Sequence, residues 1–185
     1  LKSHSNEKNV DFFSTPFDKE SVDCLKDLKI TTHKIASFDV TNHKLLKYIG
    51  KHSDQVIMST GMSNIPEIVK ACEVLEKTKT NISLLHCVSA YPTKETEANL
   101  KAITTLQSLF PKYLIGHSDH TPDIKIPLYA AAYGAKILEK HFMIDKDCVD
   151  APVSINKDMM TNLVSEIRLL EKIIGNGSLG LTKSQ

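Results

Sequence analysis

Short apolar runs alternate with amphipathic segments along the whole sequence, and this alternation limits the possible folds more than any other feature. Six runs have the composition of β-strands: residues 11–15, 33–37, 55–59, 82–87, 113–117 and 136–141. Most of these runs are continuously apolar, which is typical of strands buried on both faces of a parallel sheet. The sequence therefore predicts a parallel sheet.

Apolar residues recur at helical spacing between these runs. The segments predicted as helices are residues 19–28, 42–51, 65–77, 96–110, 124–133 and 157–174. The third helix follows Asn64 and has Pro66 in its first turn and the Glu67 carboxylate three residues after the cap, which is typical of a helix start. Gly175 predicts the end of the last helix.

Strands that alternate with helices predict right-handed crossovers, and either a doubly wound open sheet or a (β/α)₈ TIM barrel would satisfy the pattern. No G-x-G-x-x-G motif follows a strand and no Walker A motif occurs, which disfavours dinucleotide-binding and P-loop folds. A complete barrel has eight β-α units in about 250 residues. Six units in 185 residues match about three quarters of one. We therefore expect residues 1–175 to form a partial TIM barrel.

The composition excludes several other classes of protein. There are 23 Lys and Arg against 22 Asp and Glu, so a net charge of +1 does not predict a nucleic-acid-binding surface. No apolar run approaches the roughly 18–20 residues of a membrane span. The four cysteines include no C-x-x-C pair, which favours reduced, mostly buried thiols in a cytoplasmic protein over a cysteine zinc site.

Polar residues lie at or just beyond the carboxyl end of every predicted strand. They are Ser14 and Thr15, Lys34 and Ser37, Ser59 and Thr60, His86 and Ser89, His117 to His120, and Glu139 to His141. A single Ser or Thr after a strand is more often a turn or a helix cap. Because chemistry in a parallel barrel lies at the carboxyl ends of the strands, polar residues at all six ends favour one site.

Two functions are suggested by these residues. Hydroxyls, the backbone amides near Gly61 and the ammonium groups of Lys34 and Lys140 would suit a phosphate or carboxylate. His120 and His141 end consecutive strands and would suit a divalent metal, although a hydrogen-bonded packing role is about equally favoured by the residues alone. Asp39 and Asp119 are candidates for acid–base work or ligand orientation. A cap on the helix near Asn42 is the alternative for Asp39.

Seven ordered motifs between about residues 10 and 175 resemble one family. They are FFSTPFD (12–18), KIASFD (34–39), STGM (59–62), LLHCVSAYPT (84–93), HSDHT (117–121), GAKILEKHF (134–142) and DAPVS (150–154). The chain resembles the NeuB-type sialic acid synthases. Their catalytic domain is a TIM barrel that condenses phosphoenolpyruvate with N-acetylmannosamine or a related amino-sugar aldehyde.

The resemblance implies a role for each site residue. Phosphoenolpyruvate would contact Thr15, Lys34, Ser37, Ser59, Ser89 and Ser118. His120 and His141 would bind Mn²⁺ or Mg²⁺ as a Lewis acid at the aldehyde oxygen. Tyr91 and Asp150 would face the amino-sugar. Lys34, Asp39, His120 and His141 would be the catalytic residues, although some members have Glu where this chain has Asp39.

The resemblance also implies surroundings for the domain. Members of the family begin with two further β-α units and end with a small antifreeze-like domain that covers the site of the partner subunit in a homodimer. We expect residues 176–185 to lead towards such a domain. We also expect the 185 residues alone to be poorly active and aggregation-prone, because a barrel without its first two units leaves strand edges open.

Three alternatives to this synthase remain open at the sequence level. One is a Schiff-base aldolase with Lys34 or Lys140 as the nucleophile, which needs no metal. Another is a barrel enzyme that makes other keto-acid or keto-sugar phosphates from phosphoenolpyruvate. The third is a catalytically incomplete fragment of the synthase.

Overall fold

A computed structural model describes residues 1–181, in which helices and strands alternate from residue 19 onwards. The elements are α1 (Lys2–Glu7), α2 (Lys19–Asp27), β1 (Thr32–Ile35), α3 (His43–Lys51), β2 (Gln55–Ser59), α4 (Ile65–Glu76), β3 (Asn81–Cys87), α5 (Lys101–Leu109), β4 (Leu114–Asp119), α6 (Lys125–Ala132), β5 (Leu138–Lys140) and α7 (Lys157–Ile174). Residues 182–185 of the predicted exit segment lie outside this description.

The five strands form one parallel sheet in the order β1-β2-β3-β4-β5. Each strand pairs with the next one along the chain, and a helix lies between each consecutive pair. The predicted parallel sheet is thereby confirmed, and its consecutive order is that of part of a TIM barrel rather than of a doubly wound sheet.

The structure differs from the prediction at the first strand. Residues 11–15 form no strand and are joined to the sheet by a single parallel bridge, Ser14 to His33. Among the described residues this segment pairs on one side only, and Pro16 directly after it has no N–H to extend the ladder. The described sheet therefore has five strands and one bridge instead of six strands.

The ends of several other elements differ from the predicted ones, and the start of α5 differs most. The helix predicted over residues 96–110 begins only at Lys101, because Asn99 has a positive φ of 46° that interrupts the helix. The last strand is shorter than predicted, and the chain beyond it makes an isolated bridge from Phe142 to Ile155. The short helix α1 was not predicted, since none of its residues is buried and it has no apolar periodicity.

Burial on both faces of the sheet explains the continuously apolar strands. On β2, Val56 and Met58 belong to the core between the sheet and its helices, whereas Ile57 points to the opposite face and is also buried. Leu75 and Ile103 on neighbouring helices complete that core. The sheet is thus a rigid frame whose strand ends can hold side chains in fixed positions.

The helices and the cysteines can be compared with what the composition predicts. Among residues 1–181, no helix combines the length and apolar character needed to cross a bilayer. All four cysteines are free, with Cys72 and Cys87 buried and Cys24 and Cys148 exposed. The expectation of mostly buried thiols therefore holds for two of the four.

Candidate active site

A cavity of about 520 Å³ opens at the carboxyl ends of the strands, and we call it the strand-end cavity. Its lining residues are Thr15, Phe17, Lys34, Ala36, Ser37, Phe38, Ser59, Met62, Cys87, Ser89, Tyr91, Ser118, His120, Glu139 and His141. The structure thus brings together every residue that the resemblance implies for phosphoenolpyruvate and for metal, and also Tyr91.

Alternation along the strands decides which side chains reach this cavity. Cys87, Ser118 and Glu139 are register partners on β3, β4 and β5, so their side chains lie side by side on one face. The residues next to them along each strand point to the opposite, helix-covered face. Glu139 was predicted to lie at a strand end but was given no chemical role, although its position two residues before His141 places both side chains on the same face.

Lys34 is the buried cation of the cavity, with a side chain only 9% exposed. Its ammonium donates hydrogen bonds to Ser59 Oγ at 2.8 Å and to the Ile35 carbonyl at 2.9 Å. The Glu139 carboxylate lies 3.5 Å away. Burial lowers the pKa of Lys34, and the charge of Glu139 offsets part of that effect. An anion that enters the cavity therefore meets a poorly solvated positive charge.

Hydroxyl groups surround this cation, and a glycine lets them approach the backbone. The Gly61 N–H donates to Ser37 Oγ at 3.0 Å, and Ser118 Oγ donates to Glu139 at 3.1 Å. A Cβ on Gly61 would lie 2.3 Å from Ser89 Oγ and 2.9 Å from Ser37 Oγ. Since real Cβ contacts are not that short, a side chain at this turn after β2 would displace these hydroxyls from the positions they hold.

The two predicted metal histidines lie next to each other, with ring centroids 5.2 Å apart. His120 Nδ1 lies 2.8 Å from the Val88 carbonyl, and His141 Nδ1 lies 3.4 Å from the Asp150 carboxylate. Tyr91 stacks on His120 at 4.0 Å. Partners on Nδ1 leave the Nε2 atom of each ring available, which is the usual arrangement of metal-ligating histidines.

The two imidazoles have different affinities for protons. Burial disfavours the charged form of His120, but hydrogen bonding with Cys87 and the Val88 carbonyl raises its pKa overall. Burial, together with the neighbouring His120, lowers the pKa of His141. His141 is therefore the better neutral nitrogen donor of the two near neutral pH.

This donor set fits a divalent cation that keeps open coordination positions. Two imidazole nitrogens are available, and within residues 1–181 there is no cluster of three or more His, Cys, Asp or Glu side chains that could hold a metal. A closed four-ligand structural zinc site is thus not formed by the described residues. Water and substrate oxygens would complete the coordination of an ion such as Mn²⁺ or Mg²⁺.

Three acidic residues lie outside the lining of the cavity. Asp39 is buried and accepts a hydrogen bond from Asn42 Nδ2 at 3.2 Å, while the Asn42 side chain itself caps α3. Asn42 rather than Asp39 is therefore the cap of α3, and Asp39 contacts the capping side chain. This geometry gives no support to acid–base work by Asp39. Asp150 is exposed and reaches the site only through His141. Asp119 points to the helix-covered face.

Lys140 also differs from the prediction, which placed its ammonium beside Lys34 as an anion ligand. The structure pairs Lys140 with Asp119 on the helix-covered face of the sheet, at an Nζ–Oδ2 distance of 2.8 Å. Since β5 alternates, Glu139 and His141 face the cavity and Lys140 cannot. The cavity therefore has one buried ammonium, that of Lys34, among its lining residues.

Apolar residues form the mouth of the cavity. The rings of Phe17 and Phe38 stack with centroids 5.6 Å apart and remain 57% and 63% exposed. Met62 and Tyr91 lie on the same rim and are also exposed. Neither phenylalanine was predicted as a site residue, because each follows a strand end where the polar neighbours are the stronger signal.

Comparisons with known proteins consistently find one family. The sequence model of the NeuB family matches residues 1–179. The N,N'-diacetyllegionaminic acid synthase of Campylobacter jejuni is 42% identical over 187 residues, which is 98% of this chain and 56% of that protein. The N-acetylneuraminate-9-phosphate synthase of Mus musculus is 32% identical over 178 residues, 95% of this chain and 50% of that protein.

A solved structure has the same fold. The N-acetylneuraminic acid synthetase of Leptospira borgpetersenii, determined in complex with citrate, superposes with a TM-score of 0.94 at 40% identity. The match covers 99% of this chain and 65% of that chain. The chain spans about half the length of the curated relatives it matches.

Proposed function

This chain belongs to the NeuB family, and from that membership we propose that it condenses phosphoenolpyruvate with an N-acetylated amino-sugar aldehyde to give a nonulosonate and phosphate. The observation that supports this proposal most directly is the strand-end cavity. It places the buried Lys34 ammonium and a ring of hydroxyls beside two imidazoles with available Nε2 atoms. Anion binding and cation binding are thereby adjacent, as a reaction between an enol phosphate and an aldehyde requires.

The anionic substrate would lie at the Lys34 end of the cavity. The residues proposed to bind its phosphate and carboxylate are Thr15, Lys34, Ser37, Ser59, Ser89 and Ser118. Their hydroxyls are held by strand ends and by the Gly61 contact, so they need little reorganisation when an anion arrives. An incoming anion would replace the Glu139 carboxylate, which lies 3.5 Å away, as the ionic partner of the Lys34 ammonium.

His120 and His141 would hold a divalent cation, for which we propose Mn²⁺ or Mg²⁺. When bound, such an ion supplies Lewis-acid polarisation of the aldehyde oxygen. Tyr91 stacks on His120 at the rim, and Asp150 contacts His141, so both lie where the amino-sugar would approach. We propose that these two side chains contact the acceptor.

The bonds made and broken balance without any further reactant. The double-bond electrons of phosphoenolpyruvate form a bond from carbon 3 to the aldehyde carbon, and water adds at carbon 2. One proton of that water converts the aldehyde oxygen into a hydroxyl, and the other leaves with the phosphate as the keto group forms at carbon 2. The C–O bond to phosphate then breaks, and inorganic phosphate leaves with the electron pair of that bond. Lys34 and the hydroxyls would hold the phosphate and carboxylate throughout, which contributes orientation and stabilisation of negative charge.

Phosphate release tests this proposal. The full-length protein that contains this chain would be incubated with phosphoenolpyruvate and, separately, N-acetylmannosamine, its 6-phosphate, and the diacetamido aldehydes that would yield legionaminic or pseudaminic acid. We expect phosphate release that depends on one acceptor, stops with a chelator, and is lost in His120→Ala and His141→Ala. Acceptor-independent release, or retention of wild-type activity by both histidine variants, would contradict it.

The Schiff-base alternative makes an opposite prediction in the same assay. An aldolase that used Lys34 would be trapped as a covalent adduct by borohydride in the presence of substrate, and it would ignore the chelator. Mass spectrometry of the borohydride-treated chain would locate the adduct. If no adduct forms and a chelator stops the reaction, the aldolase alternative is excluded and the synthase reaction is supported.

We also propose the surroundings of this domain. Residues 1–175 would be part of a TIM barrel completed by further β-α units, followed by a smaller domain, in a homodimeric enzyme. The consecutive parallel strands and the greater length of the relatives support this organisation. Light scattering of the active enzyme would test the dimer.

A further inference from the structure

The Asp119–Lys140 ion pair lies behind the two histidines, on the helix-covered face of the sheet. Its side chains are 2% and 3% exposed. Asp119 and Lys140 are direct register partners on β4 and β5. Each also directly precedes one of the histidines, since His120 follows Asp119 and His141 follows Lys140. The distance between the two backbones at this pair therefore bears directly on the distance between the two rings.

The Lys140 ammonium has an acceptor for each of its three protons. Besides the Asp119 carboxylate, it donates to the carbonyl of Thr121 and, at 3.0 Å, to the carbonyl of Val153. Asp119 in turn accepts from Thr121 Oγ1 at 2.9 Å and lies 3.6 Å from His117 Nε2. A lysine that is buried and fully bonded in this way has no proton free for an anion or a substrate.

The segments that Lys140 joins are those on which the site depends. Thr121 directly follows His120 in the loop after β4. Val153 belongs to a short 3₁₀ turn whose N-terminal residue is Asp150, and the Val153 N–H donates to the Asp150 carbonyl at 3.1 Å. The Asp150 carboxylate faces His141. One ammonium thus links the His120 loop, the His141 strand and the turn that supports His141.

We propose that Asp119 and Lys140 are positioning residues that set the separation and orientation of His120 and His141, and thereby the affinity of the site for a divalent cation. Neither residue touches the cation or a substrate. This inference rests on the proposed function, because it requires that the two histidines bind the cation.

Metal affinity and thermal stability together test the inference. The full chain would be compared with Lys140→Met, Asp119→Asn and the double variant. Mn²⁺ binding would be measured by the loss of the free-ion EPR signal, and unfolding would be followed in the metal-free protein. We expect both single variants to bind Mn²⁺ about 10- to 100-fold more weakly, the range typical when the support of a metal ligand is removed.

The double variant distinguishes positioning from simple stability. Each single variant leaves one buried group without its partner, whereas the double variant leaves none charged. We therefore expect the double variant to recover most of the lost melting temperature but not the lost Mn²⁺ affinity. A matched control is Lys70→Met with Glu73→Gln, which removes an exposed pair at 3.1 Å on α4 and should change neither quantity.

The outcomes separate the inference from the proposed function. If the double variant recovers affinity along with melting temperature, or if the single variants bind like the wild type, the positioning role is wrong. If the wild-type chain binds no Mn²⁺, the metal site itself is wrong and the inference falls with it. Should the single variants not fold, the double variant, in which neither buried charge remains, still tests the role. Wild-type Mn²⁺ affinity in the double variant would then count against it.

Discussion

Lys34 is the residue whose charge state decides whether the strand-end cavity attracts an anion. Its ammonium is held by Ser59, by the Ile35 carbonyl and at longer range by Glu139. Burial lowers the pKa of Lys34, so its positive charge is lost at a lower pH than that of an exposed lysine. The affinity for a phosphate ester should therefore decrease at alkaline pH.

We expect the affinity for phosphoenolpyruvate to fall as the pH rises through the lowered pKa of Lys34, because only the protonated amine attracts the anion. Calorimetric titration over an alkaline pH series measures this. Lys34→Arg should remove the alkaline loss, since a guanidinium stays protonated there. Lys34→Met should bind weakly at every pH, and the exposed Lys44→Met is the control of equal charge. An unchanged pH profile in Lys34→Arg would contradict the assignment.

Thiol labelling gives a second prediction at this scale. Burial raises the pKa of Cys72 to about 11, so its thiol should be almost unreactive at pH 8. Burial opposes ionisation of Cys87 too, but hydrogen bonding with His120 and Ser37 lowers its pKa overall. We expect phosphoenolpyruvate to slow labelling of Cys87, which lines the cavity, and to leave the exposed Cys24 unaffected. Mass spectrometry of the labelled peptides measures both labelling rates. An unchanged rate for Cys87, or equal slowing of Cys24, would contradict the prediction.

The turn between β2 and α4 serves both the site and the helix that follows. Gly61 lies against two serine hydroxyls of the cavity, and three residues later Asn64 begins α4 with a capping box. The Asn64 side chain accepts from the Glu67 N–H at 3.0 Å, and the Glu67 carboxylate accepts from the Asn64 N–H at 2.8 Å. Substitutions only three residues apart should therefore have separable effects.

Gly61→Ala should weaken phosphoenolpyruvate binding by about 10- to 100-fold, because a displaced serine hydroxyl no longer meets the anion in the right place. The measurement is the dissociation constant from calorimetry. Ser63→Ala lies two residues further on and outside the cavity lining, so it should bind like the wild type. Equal losses of phosphoenolpyruvate affinity in both variants would mean that the conformation of the turn, rather than the contact of Gly61 with the serine hydroxyls, determines binding.

Asn64→Ala should leave binding intact and lower the free energy of unfolding by about 1 kcal/mol, as expected for loss of an N-cap. For a chain of this size that is about 2–4 °C in melting temperature. Asn64→Ser keeps a cap acceptor and should melt close to the wild type. If the serine and alanine variants melt together, the cap does not stabilise α4.

The elements that were predictable from sequence are those with a strong local signal. β2 and α7 have the predicted bounds, since a strand with a continuous apolar centre and an 18-residue amphipathic helix need little tertiary context. Residues 11–15 look like a strand by composition, but pairing decides whether a strand forms. The polar residues at the strand ends predicted most side chains that line the cavity. The face on which Lys140 lies was not predictable in the same way, because it depends on the alternation of side chains along β5, which starts only at Leu138.

At the scale of the whole molecule, each edge of the described sheet is followed by only one isolated bridge instead of a further paired strand. At one edge β1 has only the Ser14 bridge, and at the other the chain beyond β5 has only the bridge between Phe142 and Ile155. Strands at such edges present unpaired backbone groups. A net charge of only +1 gives little mutual repulsion between copies.

We therefore expect the 185-residue chain on its own to associate as its concentration rises and to turn over poorly. Light scattering across a concentration series, with a phosphate-release assay on the same samples, measures both. High salt should not reverse the association, because backbone pairing and apolar contact are not screened as charges are. A monodisperse monomer with full turnover would contradict the expectation.

The stacked Phe17 and Phe38 rings at the cavity mouth offer a direct means of observation, because the sequence contains no tryptophan. An indole introduced by Phe38→Trp would be the sole strong near-ultraviolet emitter of the molecule, in contact with a second ring and half open to water. Its emission wavelength would then report when a substrate, or a neighbouring polypeptide, displaces solvent from that rim. The ordering of binding events could thus be followed in real time without any attached dye.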